Sequence, residues 1–196
     1  MKHLLITGFD PFGGETINPS WEAVSRLPDT IGDYRLTSLQ IPTVFGGAAQ
    51  AVLAAAKRDK PDVILCIGQA GGRDAVTPER IAINMASAAR PDNAGNQPRE
   101  EAILPGGPDG SFATVPVRAM AEAITASGLP GRVSNTAGTF VCNDTLYRLL
   151  QHYVGTETRV GFLHVPHLPQ QAKEGAPCME LGQIIDALIA AISALG

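Results

Sequence analysis

After Pro61-Asp62 and before Gly68 the chain runs Val63-Ile64-Leu65-Cys66-Ile67, five apolar residues without a polar interruption. A strand with one face in water alternates apolar and polar positions. An unbroken run of this length suits a strand covered on both faces, as in parallel sheets. Covering both faces takes helices, and the crossovers between parallel neighbours supply them. The flanking sequence has that rhythm. Leu4–Ile6 predicts a short first strand ending at Gly8, and Asn18 to Leu27 a helix with Asn18 as N-cap and Pro19 at its first position. Arg35–Ile41 reads as a strand stopped by Pro42. Phe45–Arg58 reads as an Ala-rich helix with Ala48, Ala49, Val52, Leu53 and Ala56 on one face. Further on, Arg80–Met85 alternates weakly as a strand, Thr114–Ala126 is helical with Pro116 tolerated in its first turn, and Arg132–Asn135 is a short strand. Asn143–Tyr153 places Leu146, Leu149, Leu150 and Tyr153 on one helical face. Arg159–Val165 is the last strand and Glu180–Leu195 a closing helix. The alternation predicts an α/β fold: one domain over residues 1–196, a three-layer sandwich with a mostly parallel twisted sheet and helices on both faces, as in phosphorylase- and hydrolase-like proteins.

Composition narrows the partners. The 196 residues carry 15 Lys plus Arg against 19 Asp plus Glu, a formal charge of −4, with no basic run. Nucleic-acid binding is therefore not expected. No apolar stretch approaches the roughly 20 residues that span a bilayer, so no membrane partner is expected either. The apolar part of Met1–Gly8 is too short for a signal peptide, which makes the cytosol the expected compartment. A chain of this length buries about 70% of its unfolded surface and needs no staple to hold a core. The three cysteines, Cys66, Cys142 and Cys178, fit neither a disulfide framework nor a zinc motif. Any cysteine chemistry would be that of a thiolate.

Sites in such sheets form from the loops at the carboxyl ends of the strands, and four segments there hold reactive residues. Gly8-Phe9-Asp10-Pro11-Phe12-Gly13-Gly14 lacks the pattern and the basic residue of a phosphate loop. Phe9 and Phe12 either anchor the loop to the core or contact a flat, uncharged ligand. Cys142 follows Ser134–Val141 and stands where a helix begins, where free N–H groups and the helix dipole favour a thiolate and can hold an oxyanion. The alternative is a small apolar residue packing the helix start. Cys66, inside the apolar run, reads as inert core, and Cys178 as exposed. His164, at the end of the last strand before Pro166, has the address of a general base, with His167 as competitor; His3 and His152 read as surface. The Gly68–Arg73 loop leads to Glu79 or Asp74 as the carboxylate that would orient the imidazole. Ser87 to Ser111, with four Pro and four Gly in 25 residues, is a long irregular segment of the kind that is functional or disordered.

Four stretches together, GFDPFGGETINPSWEAV, ERIAINMASAARPDNAGNQP, SNTAGTFVCND and GFLHVP, resemble the type I pyroglutamyl peptidases (pyrrolidone carboxyl peptidases), cysteine peptidases without cofactor or metal. The resemblance runs in order along essentially the whole chain. It implies a cytosolic homotetramer, similar in fold to purine nucleoside phosphorylases, that removes N-terminal pyroglutamyl (5-oxoprolyl) residues from peptides. It implies Cys142 as nucleophile, His164 as base and Glu79 as third member of the triad. Phe9, Phe12, Gln69, Phe140 and Val141 match the substrate pocket, Arg90 matches an arginine near the nucleophile, and Asn18 falls in the segment that positions the first loop. Met85-Ala86-Ser87-Ala88 departs from the acidic residues many bacterial members carry there. Two other classes fit the fold: a nucleoside phosphorylase-like transferase, disfavoured by the lack of a basic cluster for phosphate, and a catalytically silent binding protein with an unreactive Cys142 thiol.

Overall fold

The computed structural model describes residues 1–196. In chain order its elements are β1 (Lys2–Phe9), α1 (Pro19–Val24), β2 (Thr30–Ile31), β3 (Tyr34–Ile41), α2 (Gly47–Asp59), β4 (Val63–Gln69) and β5 (Thr77–Pro78). They continue with β6 (Ile81–Ile83), β7 (Gly110–Phe112), α3 (Val117–Ala126), α4 (Val141–His152), β8 (Arg159–Val165) and α5 (Leu181–Ser193). The main sheet has the order β2-β3-β1-β4-β8-β5. Its four central strands, β3, β1, β4 and β8, are parallel, and the short β2 and β5 pair antiparallel at the two edges. Strand parity sorts the side chains onto two faces. Leu4, Ile6, Val63, Leu65, Ile67, Leu163 and Val165 pack with α1, α3 and α5. Leu5, Ile64, Cys66, Val160 and Phe162 pack with α2 and α4 on the other face. The apolar run after Pro61 is thus buried on both sides, and the three-layer α/β expectation holds.

Local chemistry sets the ends of the elements. The Asn18 side chain accepts from the Ser20 N–H at 3.1 Å and starts α1, with Pro19 in its first turn. Glu180 and Gln183 form a reciprocal capping box at the start of α5. α1 ends at Val24, shorter than the Asn18–Leu27 span predicted, and α3 begins at Val117 because Pro116 takes the cap position.

Three expectations are corrected. Arg132–Asn135 is not a strand: it meets the chain beside β5 only at single bridges, Val76 to Gly131 and Glu79 to Ser134. Pro78 has no N–H to donate, so a continuous ladder cannot form there. Of Arg80–Met85 only Ile81–Ile83 is a strand, and it pairs with β7 outside the main sheet. The Asn143 side chain of α4 takes up the polar groups of that segment, accepting from Ile83 N at 2.9 Å and donating to the carbonyls of Ile83 and Met85 at 2.9 and 3.0 Å. His3 is buried rather than on the surface, because β1 begins at Lys2 and pairs with β3 from its first residue. Its Nδ1 donates to the Asp59 carbonyl at 3.0 Å, and its Nε2 pairs with Thr37 Oγ1 at 2.9 Å.

Helix α1 sits directly on Gly8 of β1. A Cβ there would lie 2.6 to 2.8 Å from the backbone of Ser20 and Trp21, which cannot swing aside as a side chain would. Gly8→Ala is therefore expected to cost at least about 1–3 kcal/mol, read as a lower midpoint in chemical unfolding. An unchanged midpoint would show that α1 is free to shift.

Candidate active site

The parity that sorts the core also aims the reactive side chains. On β8, Val160 and Phe162 face α2 and α4, so His164, two residues on, faces the same way. On β4, Ile64 and Cys66 face that side, and so does Gly68. The start of α4 comes down over this spot. A Cβ on Gly68 would lie 3.0 Å from Cys142 Sγ and 2.7 Å from the Phe162 ring. The missing side chain of Gly68 is what lets the sulfur approach the end of β4 beside His164.

Cys142 is the second residue of α4. The first intrahelical bond runs from Asp144 N to Phe140 O at 3.1 Å, which leaves the N–H groups of Val141, Cys142 and Asn143 outside the helical ladder. The Asn143 side chain serves the backbone of Ile83 and Met85 and so ties the helix start to the segment bordering the site.

Beneath His164 lies Glu79, fully buried. The imidazole Nδ1 donates to Glu79 Oε1 at 2.7 Å, leaving Nε2 free. The same oxygen accepts from Arg73 Nη1 at 2.6 Å. Arg73 also donates to Thr77 Oγ1 and, at 3.1 Å, to the Thr136 carbonyl. The edge strand sets this alignment: Thr77 pairs with His164, and Glu79 N donates to Phe162 O at 2.9 Å. Asp74, the competing carboxylate, is instead ion-paired to Arg132 at the surface.

Burial and charge set the protonation states. Burial pushes the Cys142 thiol up to about 12, and the negative charge of Glu79 adds to this. Arg73 and the backbone N–H of Cys142 pull the other way without prevailing. Desolvation thus works against the lowering that a helix start alone would bring. His164 is held below the usual imidazole range, first by burial and also by Arg73, against the pull of Glu79. Burial works to raise the Glu79 carboxyl, but hydrogen bonding to His164, its charge and that of Arg73 hold it below the ordinary range. Cys66, inside the sheet, is likewise pushed up to about 12 by burial. Cys178 is exposed.

These groups open onto a cavity of about 600 Å³. Of the residues singled out from sequence, Cys142, His164, Phe9, Phe12, Gln69, Phe140, Arg90 and Asn18 all line it. Phe9 ends β1 rather than standing in a loop and is almost wholly buried. Phe12 and Phe140 rings are 5.9 Å apart, and the Arg90 guanidinium lies 5.1 Å from the Phe12 ring centre. The Val141 side chain does not reach the cavity; it is buried in the core between the sheet, α2 and α4, because the first turn of α4 turns it inward. Asn18 donates to the Asp10 carbonyl at 2.9 Å and so holds the first loop.

Several cavity residues were not foreseen. Ser87, Ala88 and Ala89 join Arg90 in one wall, tied to the Thr136–Phe140 segment by Ser87 N to Thr139 O at 3.0 Å and Thr139 Oγ1 to Ser87 O at 2.8 Å. Two residues of the Met85–Ala88 departure, Ser87 and Ala88, thus line the cavity. Asp92 pins the long Ser87–Ser111 segment, accepting from the N–H groups of Phe45, Ala94 and Asn96 at 2.8, 2.9 and 2.8 Å. Arg73 was passed over because nothing in its Gly-rich loop marks which carboxylate it will meet.

A buried carboxylate orienting an imidazole, beside a cysteine at a helix start, is the constellation of a thiol hydrolase. A family model described as pyroglutamyl peptidase matches residues 2–196. The pyrrolidone-carboxylate peptidase of Levilactobacillus brevis is 51% identical over 197 residues, covering 98% of this chain and 96% of that one. Among solved structures, the pyroglutamyl peptidase I of Bacillus amyloliquefaciens superposes with a TM-score of 0.96 at 46% identity, covering 100% of this chain and 97% of that one. The pyrrolidone carboxyl peptidase of Thermococcus litoralis gives 0.94 at 33% identity, covering 100% and 93%. The chain belongs to the pyroglutamyl peptidase family.

Because folding lowers the proton affinity of His164, the unfolded chain binds the extra proton first as pH falls. Stability should therefore decline from about pH 6.5 downward. The depressed Glu79 carboxyl adds a further loss below about pH 4.3. Thermal midpoints measured from pH 8 to about 4 should fall in this way, and His164→Gln should flatten the upper part. A profile rising between about pH 6.5 and 5 would contradict a neutral buried imidazole.

Proposed function

We propose that this chain is a thiol exopeptidase that removes an N-terminal pyroglutamyl (5-oxoprolyl) residue from peptides through a thioester acyl-enzyme. The observation that carries the reading is the His164–Glu79 pair opening onto the same cavity as Cys142. That cavity is lined by Phe9, Phe12 and Phe140 and by no carboxylate. An unblocked N-terminus brings an ammonium that needs an acidic partner, whereas the lactam of pyroglutamate is uncharged and flat. Aromatic faces and backbone hydrogen bonds suit it, and a pocket built to pair its N–H rejects analogues that lack it. The family membership points the same way.

In this mechanism Phe9, Phe12 and Phe140 pack on the ring, and polar groups at Gln69 and the backbone at Val141 meet the lactam edge. Cys142 gives its proton to His164 Nε2 as the sulfur attacks the carbonyl carbon. The oxyanion meets the Cys142 N–H, with Arg90 nearby. Glu79 stabilises the imidazolium, which then protonates the departing amine as the C–N bond breaks. Water, deprotonated by His164, hydrolyses the thioester and frees the sulfur. All these steps use side chains and backbone alone. Residues 1–196 act as one catalytic domain, and a cytosolic homotetramer is the assembly proposed.

A pyroglutamyl amide with a fluorescent leaving group should be hydrolysed and the matching prolyl amide spared, with activity lost on iodoacetamide treatment. Equal hydrolysis of both would end the lactam reading. Cys142→Ala and His164→Ala should each cut kcat/KM at least about a thousandfold with the fold retained. Activity surviving in Cys142→Ala would remove the sulfur from the mechanism. With His164 held low, the acid limb of kcat/KM should fall below about pH 6.5, and a limb above that value would mean that Glu79 outweighs burial.

A further inference from the structure

Gln69 ends β4 and lines the cavity, and both atoms of its side-chain amide are engaged. Oε1 lies 3.3 Å from Gln171 Nε2, and Nε2 lies 2.9 Å from His167 Nε2. Two backbone groups fix which atom donates. The Leu168 N–H meets Gln171 Oε1 at 3.2 Å, so that atom is the oxygen. Gln171 Nε2 then donates to the Ile17 carbonyl and to Gln69 Oε1, each at 3.3 Å. With its oxygen accepting, Gln69 offers an N–H to His167. His167 Nε2 must therefore hold a lone pair, and the ring proton sits on Nδ1. The ring has a built seat. A Cβ on Gly71 would lie 2.5 Å from His167 Cε1 and 2.7 Å from Nε2, so the imidazole occupies the space this glycine leaves.

We propose that His167 is a positioning residue for substrate binding: as a neutral acceptor it holds the Gln69 amide in one orientation, with an N–H and an oxygen lone pair left for the ligand. The inference rests on the lactam reading of the cavity, since a lactam edge carries the matching C=O and N–H. Protonation at His167 Nε2 sets one donor against another and breaks the contact. Gln69 cannot answer by flipping, because its NH₂ would then face that of Gln171, which Leu168 and Ile17 hold in place. The charge has no partner in the cavity, whose other titratable or charged side chains are Arg73, Arg90, Cys142 and His164. Glu79 below is taken by His164 and Arg73. On the segment returning to the His167 carbonyl through Met179 N, Lys173, Glu174, Cys178 and Glu180 are exposed.

The test is KM and kcat for the pyroglutamyl amide at about pH 8 and about pH 5.5. In the parent chain KM should rise about fivefold on acidification, the scale of one hydrogen bond, beyond the loss in kcat that His164 imposes. His167→Phe should show the raised KM at both pH values. His167→Gln, which accepts through an oxygen and does not titrate, should keep the low KM at both. A His167→Phe variant with the parent's KM at both pH values would overturn the proposal, as would a His167→Gln variant that keeps the parent's pH response. Nitrogen NMR shifts of the ring give a readout independent of turnover: Nδ1–H at about pH 8 supports the network, and Nε2–H overturns it. Absence of hydrolysis together with Nδ1–H would sink the lactam reading and leave the network standing.

Discussion

One oxygen atom, Glu79 Oε1, joins the imidazole of His164 to the guanidinium of Arg73 at the bottom of the site. A fully buried carboxylate is costly unless charge and hydrogen bonds meet it, so wherever Glu79 lies its partners must follow. This requirement organises the edge of the sheet. β5 is only Thr77–Pro78, yet it pairs antiparallel with β8 and so brings the chain back beside His164. The Arg73 side chain then reaches from the preceding loop to Glu79, Thr77 and the carbonyl of Thr136. Three separate segments are thereby gathered under the imidazole. Both of the close contacts to this carboxylate, from His164 and from Arg73, fall on Oε1.

The two-faced sheet does the remaining positioning. Because neighbouring residues of a strand point to opposite sides, His164 and Gly68 face α4 only if the registers of β4 and β8 agree, and Gly68 does pair with His164. A shift of one residue would turn the imidazole toward α1, α3 and α5 and place Leu163 under the sulfur. The apolar residues of both strands prevent that shift, since Val160 and Phe162 fit one core and Leu163 and Val165 the other. The energy that fixes the geometry of this site is thus the burial of the same side chains that hold the fold.

Much of this was legible in the sequence because it follows from short-range rules. β8 spans the predicted Arg159–Val165, the Asn18-Pro19 start of α1 is a local cap, and the placement of Cys142 at a helix start followed from the apolar face of the helix after it, although the strand expected before it is absent. What was not legible depends on long-range partners. Arg73 and Asp74 are adjacent and of opposite charge, and only the path of the chain sends one to Glu79 and the other to Arg132. His3, near the N-terminus, reads as a surface residue; the pairing of Lys2 and His3 with β3 covers it. The Val141 side chain faces inward because helix phase is set by where α4 starts, within a residue or two, which periodicity does not resolve. The irregular Ser87–Ser111 segment carries no periodic signal, yet Asp92 holds it through three backbone N–H groups and makes it a wall of the cavity.

The protonation states follow from where each group stands relative to that wall. The sulfur sits in a half-buried position where the negative charge of Glu79 raises its proton affinity further. A permanently ionised sulfur there would bear the cost of desolvation at all times, and the first turn of α4 does not outweigh it. In the proposed mechanism charge is separated while a substrate carbonyl is present to take it up, and the Glu79 carboxylate would be worth most at the moment when the imidazole becomes charged. Burial is what chiefly holds His164 below the usual imidazole range, and hydrogen bonding to His164 is what chiefly holds the Glu79 carboxyl low; the charge of Arg73, which shares Oε1, adds to both.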